Sequence, residues 1–156
     1  MQQRGKSDRM SARLGDPAPK NRTYCVLVVE NDPQQCADHV ANLEGWGYRV
    51  CVAEMDLGVE DRTAALCQNA LGLAAAQQCD LAMVDLRLQS DVNPADETGV
   101  ALAQALLVAG GVILSAYATP ACDRLGERWV CVGKQDGPEE LRATLAGLVA
   151  RLLQSD

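Results

Sequence analysis

The sequence predicts an α/β fold: one doubly wound parallel sheet of five strands with helices on both faces. Three observations carry that prediction. Five short runs, rich in β-branched residues, are continuously apolar but for Arg49, Asp85 and Ser115, rather than alternating, as strands covered on both faces are. The stretches between them carry helix signals, and strand-helix alternation favours a parallel sheet. At 156 residues the chain has the length of one domain, long enough for a sizeable core.

The elements follow in order. Residues 24–29 (YCVLVV) form the first strand, and Asp32 before Pro33 supplies an N-cap with proline at the first helical position. That helix reaches about residue 44, where Gly45 and Gly47 stop it. Residues 48–53 (YRVCVA) are the second strand, and Asp61 caps a helix over 62–78, with Gly72 as its weak point. Residues 81–86 (LAMVDL) are the third strand, ending in the carboxylate of Asp85, followed by a loop at 87–98 and a helix over 99–109. Residues 111–115 (GVILS) are the fourth strand. Thr119-Pro120 opens a short helix that passes little beyond Glu127, and residues 129–132 (WVCV) are the fifth strand. Asp136, Pro138 and Glu139 open the last helix, which runs to about residue 153.

Composition narrows the function. Apolar residues make up 48% and charged residues 22%, ordinary for a globular domain, and no apolar run suits a membrane helix. With no signal-peptide segment either, the chain is expected in the cytoplasm. Residues 1–22 carry six of the fourteen basic residues and a charge of +4, leaving −11 on the rest of the net −7. We therefore expect a disordered basic tail at 1–22 and a folded domain at 23–154. So acidic a body argues against nucleic-acid binding. Seven cysteines, an odd number with no CxxC, fit buried free thiols in a reducing compartment and argue against a cysteine metal site. His39, the single histidine, reads as a surface or half-buried helical residue.

In doubly wound sheets the functional crevice lies at the carboxyl ends of the strands. There the chain places Glu30-Asn31-Asp32, Asp85, Ser115-Ala116-Tyr117 and Lys134. Acids gathered at one rim call for a divalent cation or an ammonium group, and oxygen ligands of this kind suit magnesium. A carboxylate assisted by magnesium and lysine is an arrangement for phosphoryl transfer.

The segments VLVVENDP (26–33), DLAMVDLRL (80–88), GVALAQAL (99–106), VILSAYATP (112–120) and Gly133-Lys134 together resemble the response-regulator receiver domain of two-component signalling, over residues 24–153. The resemblance implies a flavodoxin-like (βα)5 sheet in the order 2-1-3-4-5. It also implies a phosphorylatable switch rather than a turnover enzyme, and because the sequence ends soon after the fifth helix that switch is expected to stand alone. Asp85 would be the phosphoacceptor, with Lys134 and Ser115 assisting the transfer. Magnesium would be held by Glu30, Asn31, Asp85 and the main-chain carbonyl of Arg87. Ser115 with the position of Cys131, or with Tyr117 in its stead, would make the switch. The implied partners are a histidine kinase or phosphotransfer protein and a downstream protein target reached by docking, with neither nucleic acid nor membrane involved.

The chain departs from the pattern at Asn31, where an aspartate is expected, which implies weak magnesium binding. Cys131 stands where the family has Tyr or Phe, and Gln135 replaces a proline. The 19 positions from Ser115 to Lys134 leave room only for a shortened fourth helix. The 86–98 segment is longer than in the family, and its Asp91, Asp96 and Glu97 read as a solvated loop. These departures keep a second reading open: a pseudo-receiver, an interaction module independent of phosphorylation.

Overall fold

The computed structural model describes residues 22–89, 93, 95–116 and 120–155. The expected tail up to residue 21, Asp91 and Tyr117 lie outside the described residues. Arg22, assigned to the tail, packs on the domain: its guanidinium pairs with Asp80 at 2.9 Å and lies 4.6 Å from the centre of the Tyr24 ring.

In chain order the elements are β1 (Cys25–Val29), α1 (Pro33–Gly45), β2 (Arg49–Val52), α2 (Arg62–Ala76), β3 (Leu81–Asp85) and α3 (Thr98–Ala105). There follow β4 (Gly110–Ser115), a 3-10 segment (Pro120–Leu125), β5 (Trp129–Gly133), a short 3-10 turn (Lys134–Asp136) and α4 (Pro138–Ser155). The five strands are parallel, in the order β2-β1-β3-β4-β5, as the sequence predicted. Alternation along each strand divides the core between the two faces. Cys25, Leu27, Val29, Ala82, Val84 and Ile113 meet Leu66, Ala70 and Ala74 of α2 and Val100, Leu102 and Ala103 of α3. Val26, Val28, Met83, Val112 and Leu114 meet Leu43 of α1 and Leu141, Leu145 and Leu148 of α4.

The caps form as their chemistry dictates. Asp32 accepts from the backbone N–H of Gln34 (2.9 Å) and Gln35 (3.1 Å), and Asp61 from that of Ala64 (2.9 Å). Gly47, at φ 95°, makes the turn after α1.

Four expectations need correcting. The third helix stops at Ala105 instead of 109, because Leu106 turns extended and Ala109 N–H donates to the Asp80 carbonyl (2.9 Å), which leads the chain into β4. That end is invisible in an unbroken apolar run. The short fourth helix forms where expected, but as a 3-10 rather than an α segment. The cysteines are not all free thiols: Cys122 and Cys131 form a disulfide, with Cα atoms 6.1 Å apart. Residues nine apart meet because the chain reverses at Gly126 (φ 76°) to enter β5. Nor is the 86–98 segment simply solvated. Asp96 is 6% exposed and accepts from Gln89 N–H (2.8 Å), Thr98 N–H (3.0 Å) and the Thr98 hydroxyl, while Glu97 pairs with Arg124. Acids become fixed this way when the backbone donors of their own loop point at them. No helix among the described residues is long and apolar enough to cross a membrane.

Candidate functional site

Parallel strands deliver their carboxyl ends to one rim, and there the structure gathers most of the residues selected from the sequence. Asp85 ends β3 at 2% exposure, Ser115 ends β4, Glu30 follows β1 and Lys134 follows β5. The sheet register sets Asp85 beside Leu114 and Ser115 beside Gly133. Gly133 N–H donates to Asp136 Oδ2 (3.0 Å), so the turn after β5 closes without the family's proline.

Lys134 is the hub. Its Nζ lies 3.2 Å from Asp85 Oδ1 and 3.9 Å from Glu30 Oε2, and donates to Gln35 Oε1 at 3.0 Å. Burial, then the charge of Asp85, push the Glu30 carboxyl up to about 7, with Lys134 opposing. Glu30 Oε1 accepts from Asp32 N–H (3.1 Å), but Oε2 has no hydrogen-bond partner among the described residues. His39 Nε2 stands 4.0 Å from it. Burial holds His39 below its ordinary pKa, and the Lys134 charge adds to the effect.

Asn31 takes a position the sequence reading did not foresee. Its Nδ2 donates to the carbonyls of Arg87 (3.4 Å) and Leu88 (3.3 Å), while its buried Oδ1 has no hydrogen-bond partner among the described residues. The Arg87 carbonyl, expected to face a metal, thus already meets an amide donor. Cys131 lies in β5, level with Ile113 and bridged to Cys122, away from the Lys134 cluster along its strand.

Two residues of the site escaped the sequence reading. Gln35 and His39 stand four apart on α1, so they share a helix face, and that face is turned to the carboxylates. The N-cap at Asp32 was the available signal, since it fixes where the first turns of the helix point. Beside them, a cleft of about 380 Å³ is lined by Gln35, His39, Asn42, Lys134, Pro138 and Leu141.

No family model and no curated protein matches this sequence. Solved structures do. The chain is similar to a CheY-like response regulator receiver domain protein from Methanospirillum hungatei JF-1 (TM-score 0.64, 16% identity, 86% of this chain and 100% of that one). It is likewise similar to a response regulator from Thermotoga maritima (0.59, 17%, 83% and 99%). A third likeness is to a member of a family of redox sensors in the streptococci evolved from two-component response regulators (0.57, 18%, 80% and 50%). At these identities the likeness is one of architecture, and it agrees with the strand order: the chain has the CheY-like receiver fold of the response regulators.

Proposed function

We propose that this protein is a signalling switch of the receiver type, in which Asp85 accepts a phosphoryl group from a histidine kinase or phosphotransfer protein. The observation that carries the reading is the buried Asp85 carboxylate held 3.2 Å from Lys134 Nζ at the carboxyl rim of the sheet. An Asp85 oxygen attacks phosphorus as the donor's P–N bond breaks. Lys134 balances charge on the incoming oxygens, and Ser115 offers them a hydroxyl. The donor set fits magnesium, a hard cation that accepts carboxylate, amide and main-chain oxygens. Glu30 Oε2, Asn31 Oδ1, Asp85 and the Arg87 carbonyl would hold it. When bound, it neutralises charge on the transferred group. A neutral amide in place of a carboxylate makes that hold weak, and output comes by docking on another protein.

Incubation of the chain with a small phosphodonor and millimolar magnesium, followed by intact-mass measurement, tests the reading. One added phosphoryl group, absent in Asp85→Asn, is expected. An unmodified chain, or modification that survives Asp85→Asn, overturns it.

The second reading, an interaction module that works without phosphorylation, is favoured by two observations. Asn31 already ties the β1 and β3 loops together, and the switch position Cys131 is bridged to Cys122. One structurally similar protein belongs to a family of redox sensors evolved from response regulators. On this reading the bridge sets the docking face, and partner binding changes with thiol-disulfide state and not with a phosphodonor.

A further inference from the structure

At the opposite end of the sheet from Asp85, three cysteines converge. Cys25 opens β1, Cys51 lies on the edge strand β2, and Cys79 precedes β3. Cys25 pairs with Arg49 in the register and Leu27 with Cys51, so Cys25 and Cys51 face the same side of the sheet, under α2. Cys79 comes back to them because Gln78 adopts φ 51° after α2, and Cys79 N–H then donates to the Ala74 carbonyl (3.1 Å). Cys25 Sγ lies 3.5 Å from Cys51 Sγ and 3.5 Å from Cys79 Sγ, and all three sulfurs fall within 4.8 Å of one another.

We propose that Cys25, Cys51 and Cys79 form a three-thiolate site for a soft monovalent cation, Cu(I). Geometry comes first. For these separations the point equidistant from the three sulfurs lies about 2–2.4 Å from each, bracketing the ~2.3 Å that a thiolate keeps from a first-row d10 cation. Trigonal ligation therefore needs almost no movement. Coordination number decides between metals. A structural zinc site closes with four ligands, and no fourth His, Cys, Asp or Glu joins the cluster among the described residues. Three soft sulfurs suit Cu(I).

Charge is the third argument. Three thiolates around a monovalent ion leave a net negative complex, which burial penalises. The Arg49 guanidinium offsets it: Nη1 lies 4.0 Å from Cys51 Sγ, and the group is pinned by Gln77 Oε1 (3.3 Å) and the Gln77 carbonyl (2.9 Å). Cys25 and Cys79 are buried and Cys51 is half-buried, so the ion enters at the β2 edge. Binding exchanges three S–H bonds for three S–Cu bonds and releases three protons, with copper remaining Cu(I) throughout.

The test is an anaerobic titration of the full, Cys122–Cys131-bridged chain with Cu(I) against a bicinchoninate competitor. It should show one ion per chain and an ultraviolet thiolate-to-copper band. Cys51→Ser, at the half-exposed edge, should lower affinity by at least about 100-fold, the upper end of the loss from an outer-sphere partner. Cys36→Ser and Cys67→Ser should change nothing. A far-ultraviolet circular dichroism spectrum like the parent's confirms that Cys51→Ser folds, and Arg49→Gln, which keeps all three sulfurs, should weaken binding measurably. Uptake unaffected by Cys51→Ser, uptake lost in Cys122→Ser/Cys131→Ser, or zinc displacing Cu(I) at equal concentration would each overturn the assignment.

Discussion

Replacing Asn31 by aspartate should convert an amide clamp into a metal-dependent one. In the parent, Nδ2 bridges to the carbonyls of Arg87 and Leu88 at 3.4 and 3.3 Å. Bonds that long sit at the low end of the ~0.5–1.5 kcal/mol range, so their joint loss costs about 1 kcal/mol. Aspartate then turns a negative oxygen toward those two carbonyls, next in the chain to Glu30, whose carboxyl burial and Asp85 push up to about 7. A carboxylate set against carbonyl oxygens beside this acidic rim adds about 1–2 kcal/mol more. Metal-free Asn31→Asp should therefore lose about 2–3 kcal/mol, or on the order of 10 °C in Tm for a domain of this size. Magnesium at ~10–100 times its Kd should return about 1.4–2.7 kcal/mol to that variant. Thermal melts of parent, Asn31→Asp and Asn31→Ala, each in chelator and in magnesium, make the measurement. Asn31→Ala loses the bridge without gaining charge, so it should fall about 1 kcal/mol and stay unresponsive to magnesium. An Asn31→Asp variant as stable as the parent in chelator would refute the clamp. Equal magnesium shifts in parent and variant would show that another group already supplies the missing charge.

Other consequences follow from the same geometry. Glu30 ionises only near pH 7 in the folded chain, against 4.5 ordinarily, so its contribution is intact below pH 4.5 and lost as pH rises through 7. That loss amounts to about 3 kcal/mol in metal-free protein, and Glu30→Gln should flatten the decline in denaturant melts between pH 5 and 8. A Cβ on Gly99 would strike the Asp85 carbonyl oxygen and lie 2.8 Å from Leu86 Cα, both backbone atoms. Gly99→Ala should thus cost about 3 kcal/mol or more, read as a lowered Tm. Reducing the Cys122–Cys131 bridge releases a loop with ends nine positions apart, worth about 2–3 kcal/mol. A phosphine reductant should lower the parent's Tm and leave that of Cys131→Ser unchanged; equal shifts in both would place the effect elsewhere.

What the sequence determined by itself is whatever depends on local pattern. Short, largely apolar, β-branched runs at 24–29, 81–86 and 111–115, bounded by turn signals, read as strands covered on both faces, and the caps at Asp32 and Asp61 follow from side-chain chemistry one turn long. Because parallel strands share a direction, that pattern already sends Glu30, Asp85, Ser115 and Lys134 to one rim. The tertiary structure decided everything that depends on distances between residues far apart in the chain. It turned Asn31 into a donor to Arg87 and Leu88 and brought Gln35 and His39 against the carboxylates. It also buried Asp96, joined Cys122 to Cys131 and gathered Cys25, Cys51 and Cys79. The physical reason is that spacing along the chain carries no information about contacts made by strand register and loop reversal. A cysteine in an apolar run reads as a small hydrophobe until the sheet sets two more beside it.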